Sequence, residues 1–75
     1  MKLSETQLRA MGKLHKVAFL SAYELQESLS TLDSLVSRGL AVRHLERGAV
    51  AFPRTGTCYR LAPGIDELDY LQTNY

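Results

Sequence analysis

The sequence predicts one α+β domain, and three patterns in the chain lead to that prediction. Helix-start signals followed by apolar residues at helical spacing occur three times in the first half. At Gly39 the apolar period changes to two, and a second alternating segment follows a loop that contains glycine and proline. We therefore expect, over residues 1–75, a three-helix core, a short strand after the first helix, a C-terminal β-hairpin and a short C-terminal helix.

The first helix is predicted by Ser4 and Gln7, which have the spacing of a capping box. Apolar residues at helical spacing follow, so this helix is expected over about residues 5–16. The next segment, "VAFL" at 17–20, is too short for a helix and predicts a strand or an extended link.

A second capping box, Ser21 with Glu24, predicts the start of the second helix. We expect that helix over about residues 22–27, because a further helix-start signal follows at once.

The third helix is predicted over about residues 30–38, with Ser28 or Ser30 as the capping residue. Asp33 is expected in its first turn, where a carboxylate is favoured by the helix dipole. Gly39 is expected to end the helix with a positive φ, because the chain turns there directly into an alternating segment.

The two alternating segments predict a β-hairpin with strands over about residues 40–45 and 57–62. The chain between them, which contains glycines, a proline and the apolar run "AVAF", is expected to be a long loop. The segment "PGIDELDYL" predicts a last helix over about residues 63–71. On the second strand we expect inward side chains at Tyr59 and Leu61 and outward side chains at Cys58 and Arg60.

Positive charge is concentrated in the second half of the chain. Residues 36–65 carry five arginines and one glutamate, a net charge of +4, although the whole chain carries only +1. Arginine suits phosphates and base edges because its planar fork makes paired hydrogen bonds. A solvated strand face is the other interpretation of this charge run.

Several functional classes find no support in the sequence. His15, His44 and Cys58 lie too far apart to predict a metal site, and no nucleophile with its base or phosphate-binding loop occurs at a recognisable spacing. We predict no enzymatic activity, no metal and no cofactor. A single cysteine and the lack of an apolar export or membrane segment predict a cytoplasmic protein with no membrane contact.

Three segments resemble one family, the winged helix-turn-helix domains of bacterial and phage transcription regulators. They are "LSAYELQ", "LDSLVSRGLAVR" and "YRLAPG", which together with the first helix cover nearly the whole chain. The stretch from Glu24 to Gly39 is shorter than in the usual family member. The resemblance implies a winged helix and a small DNA-binding regulator of transcription, such as a phage or bacterial accessory protein.

In that family the third helix enters the major groove, and the hairpin loop touches the backbone or the minor groove. The resemblance therefore implies contacts with double-stranded DNA from two parts of the chain. Carried over by position, they are Ser28, Ser30, Thr31, Ser34, Ser37 and Arg38 on the third helix, and Arg43, Arg47 and Arg54 on the hairpin.

An alternative function is a protein-interaction module without sequence-specific DNA binding. Its surface would be the loop "AVAFP" with the tail "DYLQTNY", where Val50 and Phe52 would be exposed. In another interpretation, Val50 and Phe52 pair with "VAFL" and close a small sheet. A homodimer through the C-terminal helix is also predicted, because its apolar stripe could pack against the first helix of the same chain or of a second one.

Overall fold

A computed structural model describes residues 3–66, and these residues form four helices and one three-stranded antiparallel sheet. The predicted α+β class is therefore confirmed. In chain order the elements are α1 (Glu5–Lys13), β1 (Leu20–Ser21), α2 (Ala22–Leu25), α3 (Leu29–Ser37), β2 (Ala41–Leu45), α4 (Pro53–Gly56) and β3 (Thr57–Leu61).

Both predicted capping boxes are present. At the start of α1, the backbone N–H of Gln7 donates to Ser4 Oγ at 3.1 Å, and the Ser4 N–H donates to Gln7 Oε1 at 2.9 Å. At the start of α2, Ser21 and Glu24 exchange the same two bonds at 3.0 and 3.1 Å. The starts of these helices thus follow from local side-chain chemistry alone.

The ends of α1 and α2 were predicted too far along the chain. The first helix ends at Lys13 and not near residue 16, because Leu14 is extended and buries its side chain in the core. The second helix ends at Leu25 and not at residue 27. Gln26 adopts the left-handed conformation (φ 55°, ψ 41°), which ends the helix and is followed by Glu27, a buried residue.

The third helix lies one residue earlier at each end than predicted. Ser28 is its N-cap and accepts the Thr31 N–H at 3.1 Å. Asp33 is therefore in the second turn, so the prediction that it interacts with the helix dipole in the first turn is wrong. Gly39 ends the helix with φ 77°, as predicted, and its N–H donates to the Val36 carbonyl at 3.0 Å.

The sheet has the strand order β1-β3-β2, with antiparallel pairing throughout. The predicted hairpin is present. A strand also follows α1, but it is Leu20–Ser21, so of the segment predicted at 17–20 only Leu20 belongs to it. Strand β3 is central: Tyr59 lies opposite Leu20 on one side and opposite Arg43 on the other. The Leu40 N–H donates to the Leu35 carbonyl, completing the Schellman motif that turns α3 directly into β2.

The segment between β2 and β3 is not entirely the long loop that the sequence predicts. It contains the one-turn helix α4, and Gly56 approaches Ala49 so closely that a Cβ there would lie 2.6 Å from the Ala49 Cα. The pairing of Val50 and Phe52 with "VAFL" is wrong, because β1 pairs with β3. Val50 is fully exposed and Phe52 is mostly exposed, as the interaction-surface interpretation expects.

The core lies between the helices and one face of the sheet. Tyr59 and Leu61 are buried there, which confirms their inward orientation. Cys58, expected outward, is also buried, because β3 has a strand on each side and contacts α2 and α4. Met11 and Leu14 of the α1 stripe are buried in the chain's own core.

The described part of the predicted C-terminal helix, residues 63–66, is not helical. Residues 63–66 form a turn and irregular chain, and the remainder of the predicted helix, with the tail surface, lies outside the described residues. The homodimer through that helix therefore stays a prediction. Within residues 3–66, each helix is too short or too polar to cross a membrane.

Candidate functional site

The predicted contact residues on α3 fall into two groups. Ser30, Ser37 and Arg38 are exposed. The other hydroxyls, including that of the exposed Ser28, form hydrogen bonds within the chain. Ser28 Oγ donates to Thr31 Oγ1 at 2.8 Å, and Ser34 Oγ donates to the Thr31 carbonyl at 2.6 Å and accepts from Gln7 on α1 at 2.9 Å. The exposed face of α3 therefore presents short hydroxyls with one arginine at its C-terminal end.

A hydrogen-bonded group joins α3 to the sheet. The Tyr59 hydroxyl donates to Asp33 Oδ1 at 2.7 Å, and Arg43 Nη1 donates to the same oxygen at 3.1 Å. We call these three residues the Asp33 group. Arg43 and Tyr59 lie opposite each other in the β2–β3 pair, so both side chains reach the same side of the sheet as α3.

The Asp33 group combines a buried anchor with an exposed end. Tyr59 is fully buried, whereas the side chains of Asp33 and Arg43 are close to half exposed. Burial raises the pKa of Tyr59, the hydrogen bond to the Asp33 carboxylate raises it further, and Arg43 opposes the shift. The phenol therefore stays protonated at neutral pH and remains a hydrogen-bond donor to Asp33.

Arg47 and Arg54 occupy the segment that connects β2 to β3, and both are exposed. Neither has an ion-pair or hydrogen-bond partner among residues 3–66. The same segment carries the exposed apolar side chains of Val50 and Phe52. The hairpin end thus offers positive charge and apolar surface together.

Sequence reasoning missed a second carboxylate that has a structural role. Glu27 is buried beneath α1, where Arg9 Nε and Nη2 donate to its two oxygens at 2.9 and 3.1 Å. Lys13 Nζ lies 2.9 Å from the same carboxylate and also donates to the Leu25 carbonyl at 3.1 Å. We call this the Glu27 cluster. The spacing of Arg9 and Lys13, four residues apart on one helix face, was the available signal.

The cations of the Glu27 cluster lower the pKa of the Glu27 carboxyl group. The hydrogen bond from Arg9 is the largest cause, with Lys13 adding to it, and together they lower the pKa of Glu27 to about 2 even though burial opposes the shift. The carboxylate is therefore ionised at neutral pH, and it ties α1 to the α2–α3 connection.

Aromatic and basic side chains pack on the sheet face away from α3. The Phe19 ring lies 5.5 Å from the His44 ring, and the Arg60 guanidinium lies over Phe19 at 5.0 Å. His44 Nε2 is 3.5 Å from Glu46 Oε1. In the described part of the chain, no three His, Cys, Asp or Glu side chains are grouped so that they could hold a metal ion.

Comparison with protein-family models finds no match, and comparison with curated proteins and with solved structures finds no significant similarity. Function is therefore inferred from the geometry of the described residues. The structure brings α3 and Arg43 together through Asp33, and it leaves Arg38, Arg47 and Arg54 exposed.

Proposed function

We propose that this chain is a winged-helix domain that binds double-stranded DNA and acts as a small regulator of transcription. The strand order β1-β3-β2, with α2 and α3 between β1 and β2, supports the winged-helix assignment. In this proposal α3 lies over the major groove, and the β2–β3 connection contacts phosphates or the minor groove.

One observation carries the proposal. Asp33 on α3 and Arg43 on β2 are in direct contact at 3.1 Å, so the polar face of the helix and the arginine-bearing hairpin begin side by side. A single duplex can then meet both elements. The exposed hydroxyls of Ser30 and Ser37 suit phosphate oxygens, which position a protein without specifying sequence.

Salt dependence tests the proposal. Affinity for random duplex DNA is measured by fluorescence anisotropy over a range of salt concentrations. We expect the logarithm of affinity to fall linearly with the logarithm of salt, because each phosphate contact releases counterions. Replacing Arg47 or Arg54 by alanine lowers the slope by about one unit each.

A matched control is Lys16→Ala. Lys16 is an exposed cation in the link before β1, and its carbonyl accepts from Arg60, on the sheet face away from α3. Its removal leaves the slope unchanged if DNA binds at α3 and the hairpin. A folded wild-type protein that shows no affinity for duplex DNA at moderate salt would contradict the proposal.

A second candidate function, a protein-interaction module, is favoured by the exposure of Val50 and Phe52. Exposed apolar residues flanked by Arg47 and Arg54 suit a partner surface with an apolar centre and an acidic rim. The double variant Val50→Ser, Phe52→Ser separates the two functions. It retains the DNA salt slope if DNA is the partner, because these side chains carry no charge.

A further inference from the structure

The exposed face of α3 is poorly equipped to distinguish bases. Among residues 29–37 it presents serines, a threonine and Asp33, and several of these hydroxyls are engaged within the chain. Base discrimination in the major groove comes chiefly from side chains that make two parallel hydrogen bonds, above all arginine on guanine. A DNA-binding protein with this helix needs such a side chain from a neighbouring element.

Arg43 is that neighbouring side chain. It projects from β2 beside α3, and its Nη1 is held by Asp33 at 3.1 Å. The Arg43 guanidinium also interacts with the Tyr59 hydroxyl and so opposes the rise in the pKa of Tyr59. The Nη1 bond to Asp33 leaves the opposite edge of the guanidinium, Nε with Nη2, directed away from that carboxylate. About half of the Arg43 side chain is exposed.

The orientation of the Arg43 side chain depends on a buried residue of the central strand. Tyr59 is fully buried on the central strand, and its hydroxyl donates to the same Asp33 oxygen at 2.7 Å. The phenol fixes the carboxylate, and the carboxylate fixes one edge of the guanidinium. A side chain held in this way loses less conformational entropy when it binds, because part of that cost is met on folding.

We propose that Arg43 reads a guanine in the major groove, positioned by Asp33 and, through it, by Tyr59. This inference rests on the proposed DNA-binding function and adds a specificity-determining residue to it. The free edge of the guanidinium donates to guanine O6 and N7. The Asp33 charge also weakens the attraction of Arg43 for phosphates, which directs it toward bases rather than backbone.

Selection from a randomised duplex library identifies the preferred site. Affinities are then measured for the best duplex and for versions in which each guanine is replaced by adenine or by 7-deazaguanine, which lacks the N7 acceptor. For the wild-type protein we expect one guanine whose replacement by adenine lowers affinity roughly 5- to 100-fold, the range of a paired arginine–guanine contact.

Arg43→Lys is the decisive variant, because it retains the charge and removes the planar fork. We expect it to lose most of the preference for that guanine while the salt slope stays within about half a unit of wild type. Asp33→Asn and Tyr59→Phe lower the same preference several-fold, since Arg43 is then less firmly held. Glu46→Gln is the matched control, an exposed carboxylate just beyond β2 that contacts His44 and not Arg43.

Several outcomes overturn the inference. An undiminished guanine preference in Arg43→Lys excludes Arg43 as the reader. Asp33→Asn that raises affinity equally for every duplex shows that Asp33 only repels DNA. Wild-type protein that binds duplex DNA without a guanine preference removes this inference alone, whereas no binding to any duplex removes the proposed function with it. Circular dichroism verifies folding, and Asp33→Asn carries the test if Tyr59→Phe unfolds.

Discussion

Glu27 and Asp33, two carboxylates in the described part of the chain, each bridge separate elements, and they differ in how completely their hydrogen-bonding capacity is used. Glu27 has 2% of its side chain exposed and is held by two cations, whereas Asp33 has 44% exposed and is held by one cation and a neutral phenol. The first arrangement leaves its carboxylate no room for a ligand. The second leaves Arg43 partly free at the surface. The Glu27 cluster, which is buried and has all its charges paired, is thus suited to stabilising the fold. The Asp33 group, which is half exposed at its two charged side chains and leaves one edge of the Arg43 guanidinium directed away from the carboxylate, is suited to recognition.

The largest expected effect is on the Glu27 cluster. Glu27→Gln removes the charge that Arg9 and Lys13 surround, and it places an amide donor against two cations. We expect the free energy of unfolding to fall by about 2–3 kcal/mol, measured by urea denaturation. A loss no larger than that of Asp33→Asn would contradict the distinction between the two carboxylates.

The joint between α3 and β2 is tested by Gly39→Val. Gly39 has φ 77°, a conformation that a β-branched residue adopts with strain. No atom lies within 4 Å of a Cβ at this position, so the cost is conformational and not steric. We expect destabilisation by more than ~1 kcal/mol. An unchanged denaturation midpoint would remove the role given to Gly39 in ending the helix.

The pH dependence of stability provides a third test, and its direction follows from the lowered pKa of Glu27. A carboxylate whose pKa falls from 4.5 to about 2 on folding contributes stability that is complete above pH 4.5 and is lost as the pH falls toward 2. Arg9 and Lys13 are partly exposed, so solvent screening reduces this contribution to about 1–2 kcal/mol. Glu27→Gln should lose less stability than wild type between pH 4.5 and pH 2.

The smallest effect on stability is expected for Asp33→Asn. Asparagine still accepts the Tyr59 hydroxyl, and an exposed ion pair such as Asp33–Arg43 contributes only about 0–1 kcal/mol. We expect the unfolding free energy to change by less than ~1 kcal/mol in the denaturation that reports on Glu27→Gln. A larger loss would mean that the Asp33 group is mainly structural.

The parts of the fold that sequence reasoning predicted correctly depend on local chemistry. Capping boxes marked the starts of α1 and α2, and the glycine stop with its change of period marked the turn from α3 to β2. The ends of α1 and α2 were missed because they depend on what the next residue contacts. Leu14 leaves the helix to enter the core, and Gln26 takes a conformation unusual for its type.

The features that could not be predicted depend on distant parts of the chain. Helix α4 is a single turn with Gly56 against Ala49, a contact seven residues apart that periodicity does not reveal. The burial of Glu27 opposes the general exposure of glutamate and requires knowing how α1 packs. The exposed arginines of the hairpin agree with the run of positive charge in the sequence. The Asp33–Tyr59 hydrogen bond joins residues 26 apart, and no pattern in the sequence indicates that they meet.

The position of β3 in the sheet has a consequence for the synthesis of the protein. The central strand is the last of the three to emerge from the ribosome, so β1 and β2 have no partner in the sheet while the nascent chain elongates. Closing β1 on β3 joins Leu20 to Tyr59 across most of the described chain, a costly step that comes late. Truncated products that stop before Thr57 lack the central strand, expose the leucines of the core and become substrates for cellular quality control.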